Sequence, residues 1–237
     1  LKAEKKANKP NLRRRMKLAA LISGGKDSSF AIVCALQEGH EVTHLVTIKP
    51  VNKDSYMFHS ANIQLTDLIS QACGIPLISE TSSGEKEKEL DDLKKALSEV
   101  RVEGIVVGAI ESEYQASRVR RICNELGLKM YAPLWHKEPE ELLREMIKCM
   151  DIRMVKVAAS GMDESWLGQR FDEKVIEELK LLRRKYRIHI AGEGGEYETL
   201  VLDAPFYKKR INLLETRKVW MGDHGVMKVV RAELGKK

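Results

Sequence analysis

Between residues 17 and 132, five short apolar runs alternate with four stretches of helical periodicity. The runs at 17–22 (KLAALI), 42–48, 76–79, 104–107 and 129–132 are too short for helices and read as buried strands. The stretches at 27–38, 60–73, 84–100 and 112–126 carry apolar residues at helical spacing, and Gly39, Gly74 and Gly127 stop three of them. Strict β-α alternation has one economical solution, a parallel sheet with right-handed crossovers and helices on both faces. In such α/β folds the ligand sits beyond the carboxyl ends of the strands. Ser23-Gly24-Gly25 and Gly108-Ala109 fall at that edge, as does 54–59.

The pattern changes after about Leu134. Residues 138–150 and 172–185 read as helices, 154–159 and 188–191 as strands, and 210–234 alternates like antiparallel strands. The expected organisation is a tail at 1–16, a first domain at 17–135 and a smaller C-terminal α+β lobe at 136–237. With only 5% aromatic residues, the core must be mostly aliphatic. The net charge of +6 suggests nucleic acid until it is located. Leu1 to Lys17 hold eight Lys/Arg and one Glu, whereas the other 220 residues hold 33 basic and 34 acidic groups. The basicity therefore belongs to the tail, a candidate contact for RNA or a ribosome-associated partner and otherwise a solvated extension. No apolar run is long enough to span a bilayer, and no signal core follows the basic start, so the expectation is a cytoplasmic protein without membrane contact. Cys34, Cys73, Cys123 and Cys149 have no CxxC spacing and read as isolated thiols. Oligomeric state, a homo-oligomer included, is not legible.

Ser23-Gly24-Gly25-Lys26-Asp27-Ser28 joins the first strand to the first helix. Glycines let backbone approach an anion, and the first N–H groups and dipole of the following helix favour it. Ser23 and Ser28 add hydroxyl donors, and Lys26 adds positive charge. Asp27 cannot bind phosphate directly, but it suits a magnesium ion bridging phosphates. The spacing is not that of the Walker loop, GxxxxGK[ST], which prepares a γ-phosphate for transfer.

This loop resembles the PP-loop of the ATP pyrophosphatases. The resemblance narrows to the archaeal diphthine–ammonia ligase family on SGGKDSSFA (23–31), DSYMFH (54–59), GEKEKEL (84–90), GIVVGAIESEYQASRVRRICNELGL (104–128), APLW (132–135), GMDESWLGQ (161–169) and AGEGGEYETLVLD (191–203). It implies a Rossmann-like parallel sheet of the PP-loop ATP pyrophosphatase type with a smaller substrate lobe. It also implies that the β- and γ-phosphates of ATP leave as pyrophosphate while a substrate oxygen attacks the α-phosphate. The implied ligands are ATP and Mg2+, held by Ser23, Gly24, Gly25, Lys26, Asp27 and Ser28, with Lys26 and Asp27 catalytic and Asp27 on the metal.

The resemblance also weights three further groups. Gly192 to Thr199 place three carboxylates and three glycines in eight residues. Composition alone suggests a solvated acidic turn. The resemblance favours a substrate-side site, in which Glu193, Glu196, Tyr197, Glu198 and Thr199 face the trimethylammonium of diphthine or ammonium, beyond the nucleotide half. Gly108 and Arg118 are candidates for a second wall of the nucleotide pocket, against a plain charged helix face. His59, Tyr114 and Trp135 are candidate substrate contacts, against a local hydrogen bond, a charged outer helix face and core filling.

The implied reaction adenylates the carboxylate of diphthine on elongation factor 2. Ammonia then gives the amide, diphthamide, and releases AMP. The chain carries no glutaminase signature, so ammonia arrives free or from a partner. Two alternatives stand beside it: a PP-loop tRNA-modifying enzyme, and a nucleotide-binding module without turnover.

Overall fold

The structure, a computed structural model, describes residues 14–50, 61–83 and 86–237. Strands β1 (Lys17–Leu21), β2 (Glu41–Pro50), β3 (Leu77–Ser82), β4 (Gly104–Val106) and β5 (Lys129–Tyr131) form one sheet in the order β3-β2-β1-β4-β5. Every pairing in it is parallel. The crossovers run through helices α1 (Lys26–Gln37), α2 (Thr66–Cys73), α3 (Lys86–Ser98) and α4 (Glu113–Leu126). Strand order reverses between β1 and β4, and in open α/β sheets the crevice at such a reversal holds the ligand. The loops after both strands lie there.

The short strands are apolar on both faces because both are covered. Leu18 and Ala20 of β1 join the core on the α1 and α2 face, while Ala19 faces Leu90, Leu93, Val119 and Ile122 of α3 and α4. Burying a Leu or Ile side chain stabilises by about 1.5–3 kcal/mol, and these aliphatic contacts hold the helices to the sheet. Glycine ends α2 at Gly74 (φ 73°) and α4 at Gly127 (φ 67°), left-handed positions that residues with a Cβ avoid.

Beyond β5, α5 (Pro139–Cys149), β6 (Asp151–Val157), α6 (Glu173–Tyr186), β7 (Tyr197–Asp203), β8 (Arg210–Trp220) and β9 (Gly225–Gly235) build the second lobe. Its strands form an antiparallel sheet in the order β7-β6-β9-β8. Pro139 at the start of α5 and side-chain caps from Glu138 and Asp172 account for the beginnings of α5 and α6. The core does not stop between lobes. One contiguous buried cluster runs from Leu18, Phe30 and Ile69 to Leu142, Ile152 and Val201.

The strand expected at 188–191 is absent. His189 to Gly192 form a turn, with the Gly192 N–H donating to the His189 carbonyl at 2.9 Å. Ile188, Ile190 and Ala191 are buried all the same, so an apolar run there marks a buried turn. The strand comes later, as β7, which begins within the acidic segment.

Candidate active site

The loop between β1 and α1 is shaped by its own residues. Gly24 has φ 86°, and a Cβ there would also press on Ile69. Ser23 Oγ accepts the Gly25 N–H at 3.3 Å and meets Ser28 Oγ at 3.2 Å. Ser28 Oγ in turn lies within hydrogen-bond reach of the Ser23 N–H and the Gly25 carbonyl. Gly25 begins α1 without a side-chain cap. The first-turn N–H groups of a helix have no intrahelical acceptor. Thr199 Oγ1 takes that of Lys26 at 3.0 Å, which leaves those of Asp27 and Ser28 for an anion at a positive helix end.

Lys26 is buried, yet its ammonium is well placed. Nζ donates to the Ala191 carbonyl at 2.7 Å and to Asp27 Oδ2 at 2.9 Å, and it lies 5.1 Å from the centre of the Tyr197 ring. A lysine has three N–H groups, so one remains for a ligand. Asp27 Oδ1 is buried and has no hydrogen-bond partner. An orphaned carboxylate oxygen beside N–H donors suited to an anion fits a hard divalent cation. Among the described residues no cluster of three or more His, Cys, Asp or Glu could hold a metal by itself.

Gly108 stands against the start of α1. A Cβ on it would stand 2.7 Å from the Asp27 carbonyl carbon and the Ser28 nitrogen. Its bare Cα lets the β4 loop pack against the start of α1, so its close approach is to backbone. The Arg118 guanidinium stacks on the Tyr114 ring at 3.6 Å and donates to the Tyr114 carbonyl, and its buried Nε has no hydrogen-bond partner. Trp135 is half-buried against the α3 and α4 core, with its ring edge-on to His136 at 4.7 Å. His59 lies outside the described residues.

The acidic segment corrects a larger expectation. It does not stand beyond the nucleotide half, because β7 runs against the loop. Besides the Thr199 contact, the Val201 N–H donates to the Gly24 carbonyl at 2.9 Å. The three carboxylates hold backbone and lysine. Glu193 Oε2 accepts the N–H groups of Glu111 and Ser112, both at 3.2 Å, at the entrance to α4. Glu196 Oε1 accepts the His189 N–H at 2.7 Å, and Glu198 accepts the Ala61 N–H at 2.6 Å and the Lys156 ammonium at 2.7 Å. Tyr197 is buried, with its hydroxyl donating to the Ile190 carbonyl at 2.7 Å; burial pushes its pKa well above the usual phenol range. Burial, aided by the charge of Asp27, also raises the Glu193 carboxyl above its ordinary value.

The lysine's acceptor, Ala191, escaped sequence reasoning because a backbone carbonyl leaves no mark in side-chain pattern. A separate groove of about 460 Å³ lies in the second lobe, lined by Arg153, Leu167, Arg210 and Met227 among others, and shares no residue with the loop.

The fold and this loop define a PP-loop α/β protein, with the SGGKDS loop at the reversal point of a parallel sheet. Residues 16–130 match the family model described as diphthamide synthase N-terminal domain, and residues 138–234 match the corresponding C-terminal domain. The chain belongs to the diphthamide synthase family. A human protein named diphthine–ammonia ligase is 39% identical over 223 residues, covering 83% of this chain and 82% of the relative. A zebrafish protein of that name is 37% identical over 231 residues, covering 88% and 90%. The fission yeast relative of that name is 36% identical, but the match covers only 37% of its length. Among solved structures, a predicted subunit of tRNA methyltransferase from Methanocaldococcus jannaschii aligns with TM-score 0.46 and 16% identity, covering 80% of this chain and 98% of that one.

Proposed function

We propose that this chain is an ATP-dependent amide ligase that converts diphthine on elongation factor 2 to diphthamide. The observation carrying the nucleotide half is the pair Lys26 and Asp27 at the open start of α1, one with an N–H to spare and one with an unpartnered buried oxygen. The substrate half rests on family membership and on the name its relatives share.

A carboxylate has no good leaving group. Attack of its oxygen on the α-phosphate of ATP releases pyrophosphate and leaves a mixed anhydride with AMP. Ammonia then attacks the acyl carbon, AMP departs, one proton is lost and the amide remains. The protein's part is to orient and to stabilise developing charge. The α1 N–H groups and Lys26 would hold the β- and γ-phosphates as the departing pyrophosphate. Asp27 would hold Mg2+, which supplies charge neutralisation between the phosphates when bound. Glu193 fixes the entrance of α4 beside the loop. Tyr114 and Trp135 remain candidate contacts for diphthine. The cytoplasm, where elongation factor 2 works, is the compartment this function requires. Among the described residues no helix is long and apolar enough to cross a membrane.

The test combines the protein with ATP, magnesium, ammonium and elongation factor 2 bearing diphthine. The expected products are AMP, pyrophosphate and an amidated factor seen by mass spectrometry. ADP and phosphate, or an unchanged factor beside an active control ligase, would refute the proposal.

A further inference from the structure

We infer that His189 is a positioning residue for the phosphate loop: its neutral ring holds the turn that carries the acceptor of Lys26 and ties that turn to the entrance of α4. The inference deepens the proposed function and rests on the loop binding ATP.

Both ring nitrogens are engaged, in opposite senses. Nδ1 lies 3.2 Å from the Ala191 nitrogen and 3.4 Å from the Glu193 nitrogen, and both backbone N–H groups donate to it. Nδ1 must therefore present its lone pair, and in a neutral ring the proton sits on Nε2. Nε2 stands 3.3 Å from Glu111 Oε2, an acceptor, which agrees with that tautomer.

These contacts close a ring of bonds between the lobes. His189 Nε2–H reaches the Glu111 side chain. The Glu111 and Ser112 N–H groups reach the Glu193 carboxylate. The Glu193 N–H returns to His189 Nδ1. Ala191 sits within the turn and is held at both ends: its N–H by His189, its carbonyl by the Lys26 ammonium at 2.7 Å. The imidazole thus sets where that carbonyl stands, and the carbonyl sets where the ammonium points. Glu196 supports the same turn through the His189 backbone N–H.

The charged groups around the ring are Glu111 across the junction, Glu193 and Glu196 on the turn itself, and Lys26 with Asp27 beyond Ala191. A ring with protons on both nitrogens has no acceptor to offer the Ala191 and Glu193 N–H groups, so the turn depends on the bare Nδ1.

The experiment measures binding of ATP with magnesium by calorimetry at about pH 8. His189→Asn keeps an acceptor near the place of Nδ1; His189→Leu has no acceptor. His189→Leu should bind about tenfold more weakly, the worth of one or two hydrogen bonds, and His189→Asn within about threefold of wild type. His189→Leu binding like wild type would overturn the inference, as would His189→Asn falling with His189→Leu. If His189→Leu does not fold, nitrogen-15 spectra of the wild-type histidines decide: a protonated Nδ1 at His189 at pH 8 overturns the inference, and an unprotonated one supports it. A wild type that binds no ATP overturns the proposed function and this inference with it.

Discussion

At the residue scale the proposed site rests on two atoms, Lys26 Nζ and Asp27 Oδ1, the second buried without a partner. Asp27→Asn keeps the shape and removes the charge. It should lower the ligation rate by about 10²–10³, the usual loss for one stabilising group, with circular dichroism unchanged. An unaltered rate would mean that the reacting phosphates lie elsewhere. Gly108 carries a different constraint. A methyl group there meets the Asp27 carbonyl carbon and the Ser28 nitrogen, backbone atoms that cannot swing aside. Gly108→Ala should destabilise by about 1–3 kcal/mol and weaken ATP binding together, since the displaced element is the start of α1. Urea melts and calorimetry on the one variant check both; weakened binding at wild-type stability would mean that the glycine makes room for ligand instead.

At the element scale, β7 is the structural surprise. Its sequence, YETLVLD, was legible as part of an acidic motif and not as a strand. Its free edge lies along the loop, giving Thr199 Oγ1 to the Lys26 N–H and the Val201 N–H to the Gly24 carbonyl. Thr199→Val keeps the volume and deletes the acceptor, stranding a buried N–H at a cost of about 1–3 kcal/mol. For a chain of this size that is a fall of roughly 2–4 °C in Tm per kcal/mol, and ATP affinity should fall with it. Scanning calorimetry with and without ATP measures both; an unmoved Tm would show that β7 does not brace the loop. The neighbouring glutamates work alike. Glu193, Glu196 and Glu198 each accept backbone N–H groups, so the charge that composition reads as a solvated turn or a cation site acts here as a clamp.

At the scale of the whole molecule, that clamp has a pH signature. The Glu193 carboxyl is raised by burial and then by Asp27. The folded state thus binds the Glu193 proton more tightly than the unfolded chain does. Its contribution to stability is complete below the ordinary glutamate value of about 4.3 and is lost as pH rises through the raised folded value. Glu193→Gln does not ionise and escapes that loss. Its Tm should match wild type near pH 4 and exceed it at about pH 7.5, while ligation falls because the charge beside Lys26 is gone. Paired thermal melts decide it: a variant less stable than wild type at the higher pH would show that the ionised carboxylate is worth more to α4 than its burial costs.

What the sequence alone determined is local. Short apolar runs, helical periodicity and stop glycines place the parallel strands and their helices, because each signal arises within a few residues of where it acts. The SGGKDS loop is legible for the same reason: its turn, its donors and its helix start are contiguous. What only the tertiary structure decided is which distant atoms complete the loop. Lys26 and Thr199 are 173 residues apart, and Lys26 and Ala191 165. The buried run at 188–191 has the composition of a strand, yet packing against the first lobe makes it a turn. No periodicity encodes that choice, because it is settled by a core shared between two lobes and by backbone groups that every residue carries alike.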